Sequence, residues 1–282
     1  MENIKIEYVN INNVYESLAA SGLPMDGGDF DFAKICGDLM MGLDIGLENF
    51  NNYLIKNKEV HFMGRALNNA ELIATLMFED WEEKDDVFYT NDMQMTLEQA
   101  VAATAQLPKV DMISVMNVLN RARILGTSAA GSGHNCFLKG IEVSMNITAP
   151  QYFFLQWERY SFQDTVSSQS TMHRLTGGKD YNHLVANQTK TNIDKLIEMY
   201  NNDAPTEEYE LFFGIAPTTK VERFEAIISN IPEGLMMTRR VTTNFLQLAT
   251  MVAQRDTHKI APWREFAKFW KEDQLFSFLT QK

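Results

Sequence analysis

The chain has 282 residues, 45% of them hydrophobic and 22% charged, with a formal net charge of −12, proportions that suit a globular protein of one large or two modest domains. No apolar run reaches the ~20 residues that cross a bilayer, and the opening MENIKIEYVN has neither the basic nor the apolar part of a secretory signal. The expectation is therefore a soluble, cytoplasmic protein with no membrane partner, and Cys36 and Cys136 supply neither a disulfide framework nor metal-ligand spacing.

The charge is unevenly spread. Residues 1–110 hold 7 Lys+Arg against 19 Asp+Glu, a net of −12, while the remainder holds 18 against 18. Neutralising a polynucleotide needs clustered Lys and Arg, so no nucleic-acid polymer is expected as a partner, and the acidic excess reads as a solvated surface.

In chain order, the first region reads as four helices. Phe30 to Asn57 carries apolar residues near helical spacing, weakened at Gly37, Gly42 and Gly46. Ala70 to Glu83 forms a second amphipathic stretch that ends in the charge run EDWEEKDD, and Thr96 with Gln99 marks the cap of a third through Ala105. After Pro108, Met112 to Ile124 makes the fourth, with Ile113, Met116, Val118, Leu119 and Ala122 inward. Composition leaves open whether this region is a separate domain or packs on the rest of the chain. The glycine-rich GTSAAGSGH that comes next reads as a connection, with phosphate cradling by backbone N–H groups as the alternative.

Ile141 to Thr148 alternates apolar and polar residues with period two, the pattern of a strand with one buried face. Thr148 stands three residues before Gln151 with Pro150 between, which predicts a capped, proline-started helix. That helix carries Phe153, Phe154 and Leu155 and delivers Gln156, Trp157, Glu158 and Arg159 at its far end. Further on, Gly177-Gly178 marks a turn, Ile193 to Tyr200 a helix, and Asn201 to Pro205 its stop. Thr218-Thr219 caps a helix from Lys220 to Ile228. Met236 to Thr243 reads as a strand, Asn244 to Arg255 as a helix with Phe245, Leu248, Met251 and Val252 on one face, and Trp263 to Trp270 as the last helix. No P-loop, Rossmann fingerprint, His-Glu-x-x-His or serine elbow is present.

Two blocks resemble the flavin-dependent thymidylate synthases. The first is Gly133-His134, a strand to Ala149-Pro150, and a helix to Gln156-Trp157 before Arg159; the second is Ile231-Pro232, Thr242-x-Asn244 and Arg255, with His258 one residue out of step. The resemblance begins near residue 118, so 118–282 reads as the family-like domain and 1–117 as an acidic helical extension. It implies an α+β fold, a twisted sheet flanked by helices, in a homotetramer. It further implies FAD as cofactor, NADPH and methylenetetrahydrofolate as co-substrates, and one-carbon transfer to a pyrimidine deoxynucleotide, dUMP.

Carried over position by position, Arg159 and Arg255 become the catalytic, substrate-binding arginines, Gln156 and Ser168 further substrate contacts, and Arg123, His134, Asn244 and His258 the flavin contacts. Without the resemblance the same residues read more plainly: helix-end arginines, a turn histidine, a helix-capping asparagine and a surface histidine. The family's Arg-His-Arg signature is Arg159-Tyr160-Ser161 here, and Leu246 and Ile228 stand where the family has arginines. Arg174, Lys179, Arg239 and Arg240 are the cations available as substitutes. The departures support a second reading, a protein that keeps the fold as a binding or structural component without catalysis.

Overall fold

The structure, a computed structural model, describes residues 3–25, 31–43, 111–129, 131–177 and 179–281, together with five short strands between residues 61 and 96. The chain divides into two compact units, one of Met1–Asn10 with Val143–Lys268, the other of Ile11–Glu142 with Phe269–Lys282. A division at residues 117 and 118 would fall inside the helix α3 (Met112–Gly126).

The first unit is built on a four-stranded sheet of β1 (Lys5–Asn12), β7 (Glu142–Pro150), β8 (Gln163–Ser168) and β9 (Met236–Asn244). Their order across the sheet is β1-β7-β9-β8. The alternation in β7 is as the sequence predicts: Val143, Met145, Ile147 and Ala149 are buried, while Ser144, Asn146 and Thr148 are half-buried on the other face. On that polar face β9 places Thr238, Arg240 and Thr242. β8 pairs antiparallel with β9, with a register shift between Thr165 and Ser167. Helices α4 (Gln151–Trp157) and α9 (Phe245–Arg255) follow β7 and β9 directly, and α10 (Ala261–Glu272) comes next. A smaller core lies among helices α5 (Thr171–Gly177), α6 (Asn187–Asn201), α7 (Thr206–Phe213) and α8 (Lys220–Ser229), where Leu175, Ile193, Leu196, Tyr209 and Ile227 are buried together.

In the second unit, α1 (Val14–Ala20), α2 (Phe32–Leu43), α3 and the closing helix α11 (Gln274–Thr280) bury Leu18, Leu39, Val115, Leu119 and Leu279. α3 ends on a glycine because a Cβ on Gly126 would lie 2.1 Å from the Leu279 carbonyl oxygen, closer than any side chain tolerates. At the other end of α3, Asp111 caps the helix through Ser114 N–H, and Lys34 lies 3.3 Å from Asp111 and 3.4 Å from the buried Asp38.

Mixed helices and an antiparallel sheet make the fold α+β, but the amino-terminal part is not wholly helical. Lys5–Asn12 is a strand, and Glu82–Lys84, within the expected end of the second helix, is β4. It pairs with β5 (Val87–Thr90), whose β-branched and aromatic run favours strand, and β6 (Met93–Thr96) completes that hairpin sheet, with Thr96 as its last residue. β2 (His61–Phe62) and β3 (Arg65–Ala66) form a further pair. The rest of the second and third expected helices, and residues 44–57 of the first, lie outside the described residues. Among the described residues no helix is long and apolar enough to cross a membrane.

Arg240 ties the edge strand β1 to the sheet. Its Nη1 donates to the Tyr8 carbonyl at 2.7 Å and to Asn146 Oδ1 at 3.3 Å, and its Nη2 donates to Ser144 Oγ at 2.7 Å. Tyr8 has φ of 50°, a left-handed conformation that costs a side chain about 1–2 kcal/mol, and the Arg240 contact holds the chain at that residue. Arg240→Ala is expected to destabilise the protein by about 1–3 kcal/mol in denaturant titration and to speed amide exchange in 5–12 more than elsewhere in the sheet.

Candidate functional site

Two neighbouring strands run straight into helices, and those helices bring the site together. β7 continues through Pro150, which is itself the cap residue of α4, with no side-chain hydrogen bond to the helix. The expected capping box is not formed: Thr148 Oγ1 lies 2.7 Å from Thr238 Oγ1 across the sheet, and strand pairing has taken the hydroxyl from the helix. The free N–H groups of Gln151 and Tyr152 donate instead to the carbonyls of Leu235 and Glu233 at 3.2 and 3.3 Å. β9 ends at Asn244, whose Oδ1 accepts from Gln247 N–H at 2.9 Å and caps α9. α9 then carries Arg255 as its last residue.

Beneath Arg255 lies an aromatic block. Phe153, Trp157, Trp263 and Phe266 are fully buried, with Phe153 and Trp263 ring centroids 4.3 Å apart and the Trp157 and Trp263 planes near parallel at 6.3 Å. The Arg255 guanidinium sits 4.8 Å from the Trp263 ring centroid and 5.6 Å from that of Tyr160, distances at which a cation is drawn to the ring face. Its Nε donates to Tyr160 Oη at 2.8 Å and its Nη1 to Gln156 Oε1 at 3.0 Å, while the Tyr160 hydroxyl donates onward to Gln254 Oε1 at 3.1 Å.

A guanidinium has five N–H donors. Two are used, so three remain, and among the described residues the Arg255 guanidinium makes no other hydrogen bond and no ion pair. The group is half-buried, fixed in orientation and uncompensated in charge. Because Gln156 Oε1 accepts from Arg255, the rest of the Gln156 amide offers donors alone.

His258 is beside this block, its ring 6.5 Å from that of Trp263. Its Nδ1 accepts from Ile260 N–H at 3.2 Å, which leaves the proton of the neutral ring on Nε2. Burial, and then the positive charge of Arg255, hold its pKa below the usual 6.5. Every free polar group here, on Arg255, Gln156 and His258, is thus a donor, and such a set suits an oxyanion or a carbonyl edge.

The other expected site residues are placed differently. Arg159 is exposed, and its side chain makes no hydrogen bond or ion pair among the described residues. Ser168 is exposed at the end of β8, paired with Arg239. In the second unit, Arg123 is half-buried in the last turn of α3, with Nε buried and without a hydrogen-bond partner, and His134 is exposed after Gly133, whose φ is 78°.

Of the substitute cations, Arg239 pairs with Glu158 at 2.5 Å and lies over Phe154, Lys179 pairs with Asp194 at 2.7 Å, and Arg240 is held in the sheet. Arg174 has a buried Nε with no partner. Sequence reasoning missed Tyr160, Gln254 and Trp263 as members of the site. Tyr160 lies beyond the end of α4, so helical spacing gave no signal for it.

No protein-family model matches the chain, and no curated protein matches it either. Among solved structures it is similar to thymidylate synthase X from Helicobacter pylori with FAD and dUMP, at 12% identity and a TM-score of 0.40, over 58% of this chain and 83% of that one. A second structure of the flavin-dependent thymidylate synthase from Helicobacter pylori, complexed with FAD and dUMP, matches at 13% identity and 0.40, over 64% and 89%. The likeness is distant and is one of fold only.

The lowered pKa of His258 has a consequence for stability. Between that value and 6.5 the unfolded chain binds a proton that the folded protein does not, so this group's contribution falls as pH drops through the window. His258→Gln removes the effect. Thermal melts between about pH 7.5 and about pH 5 are expected to show the variant losing less stability than wild type on the acid side.

Proposed function

We propose that the Arg255 site binds the phosphate or base carbonyls of a pyrimidine deoxynucleotide, and that the protein is a divergent flavin-dependent enzyme modifying C5 of that nucleotide, as in thymidylate synthesis from dUMP. One observation carries the reading: a half-buried guanidinium, held in place by Gln156, Tyr160 and Trp263, keeps three N–H donors and has no carboxylate partner among the described residues. Planar forks of this kind match phosphate and paired carbonyl oxygens. The resemblance at Gln156-Trp157, Arg159 and Arg255 supports the same reading. In it, Arg255 fixes the nucleotide, the Gln156 amide donates to the pyrimidine edge, and Arg159 and Ser168 supply the remaining contacts. The domain so defined is residues 118–282, with 1–117 an addition to it, and the assembly is a homotetramer.

The residues also fit a flavin in chemical type. Arg123 carries a buried donor without a partner, His258 offers an Nε2 donor, and Asn244, its carbonyl used in capping, retains its NH2 group. With His134 these are the groups proposed to hold FAD, which when bound supplies hydride chemistry at the expense of NADPH, with methylenetetrahydrofolate as the one-carbon donor. The protein's part is then to position the nucleotide and exclude water.

A second reading, a binding protein without catalysis, is favoured by the exposed and unpartnered Arg159. Visible absorbance separates the two. The enzyme reading expects a yellow protein or one that takes up added FAD, and a colourless protein that takes up none contradicts it. Under both readings Arg255→Ala is expected to weaken dUMP binding by about 1.5–3 kcal/mol in calorimetric titration, and to lower stability by about 1–3 kcal/mol through the lost contacts to Gln156, Tyr160 and Trp263; an unchanged affinity in the folded variant removes Arg255 from the site.

A further inference from the structure

We infer that Tyr160 is a positioning and specificity residue for the Arg255 site: by accepting from Nε it closes the side-on edge of the guanidinium, so that an oxyanion meets the Nη groups only. This rests on the reading of Arg255 as the nucleotide-binding cation. Two edges of a guanidinium take oxyanions in a bidentate manner, the side-on edge through Nε and one Nη, and the end-on edge through both Nη groups. Here Nε–H is directed at Tyr160 Oη, 2.8 Å away. The phenol proton is in turn directed at Gln254 Oε1, 3.1 Å away, so the hydroxyl faces Arg255 as an acceptor and has no proton for a ligand.

The Tyr160 ring lies 6.0 Å from that of Trp263, and both lie within cation–π reach of the guanidinium. Tyr160 therefore fixes both the tilt of the fork and the edge it shows. Gln156, bonded to Nη1, holds its amide donors in register with that edge. A ligand that carries an oxyanion and a carbonyl edge at a set separation, such as a pyrimidine nucleotide, uses both features. A small oxyanion such as inorganic phosphate gains nothing from the register and loses the side-on edge.

Tyr160→Phe keeps the ring and removes the acceptor. The expected result is that dUMP binding weakens about tenfold while inorganic phosphate binding is retained or strengthened, so the ratio of the two affinities falls by at least that factor. A merely structural role would lower both together or neither. Gln254→Ala keeps the phenol and removes the group that orients its proton, and it is expected to shift the ratio the same way by less; it carries the test alone if Tyr160→Phe fails to fold by circular dichroism. Titrations of both ligands into the full chain decide the matter. Wild type that binds dUMP with a ratio unchanged in the variants overturns the role of Tyr160 and leaves the Arg255 site standing. Wild type that binds neither dUMP nor phosphate overturns both.

Discussion

A guanidinium that is half removed from water gives up hydration, and a protein ordinarily offsets that loss with a carboxylate. Among the described residues Arg255 has none. It is held by two neutral acceptors, the Gln156 carbonyl and the Tyr160 hydroxyl, and by the faces of Trp263 and Tyr160. Hydrogen bonds from a cation to neutral acceptors and cation–π contacts each contribute on the order of 1 kcal/mol or more, enough to fix the group in orientation while leaving its charge available. That charge is one of the causes, after burial, that lower the pKa of His258.

The rest of the first unit can be seen as what this arrangement requires. Gln156 arrives at the end of a helix that leaves β7 without a loop, and Arg255 at the end of a helix that leaves β9 in the same way. Since β7 and β9 are adjacent in the sheet, the ends of their helices meet, and the Nη1–Oε1 bond joins them. Trp263, from α10, closes the arrangement from below, and its burial with Phe153, Trp157 and Phe266 provides the rigid floor.

Elements with a buried face were legible in the sequence. The alternation of Ile141 to Thr148, the threonine-capped start of α8 and the apolar stripe of α9 all reappear in the structure within a few residues of their expected bounds. β8 was not legible, because QDTVSS on an edge strand has both faces exposed and no alternation to show. Thr148 misled for a different reason: a hydroxyl three residues before Gln151 suits a cap, but cross-strand pairing with Thr238 took it first. Tyr160 is the most instructive case. In the sequence it stands only as a departure from the resemblance, yet in three dimensions it is a partner of Arg255.

If Arg255 is a fixed and uncompensated cation that receives an anionic nucleotide, its side-chain nitrogens report this directly. Nitrogen-15 spectra of the arginine side chains, assigned with an Arg255→Lys variant, can be followed while dUMP is added. The Arg255 guanidinium resonances are then expected to shift in a saturable manner while those of Arg240, bonded within the sheet, stay in place. Arg255 resonances that do not move under saturating dUMP would contradict this role.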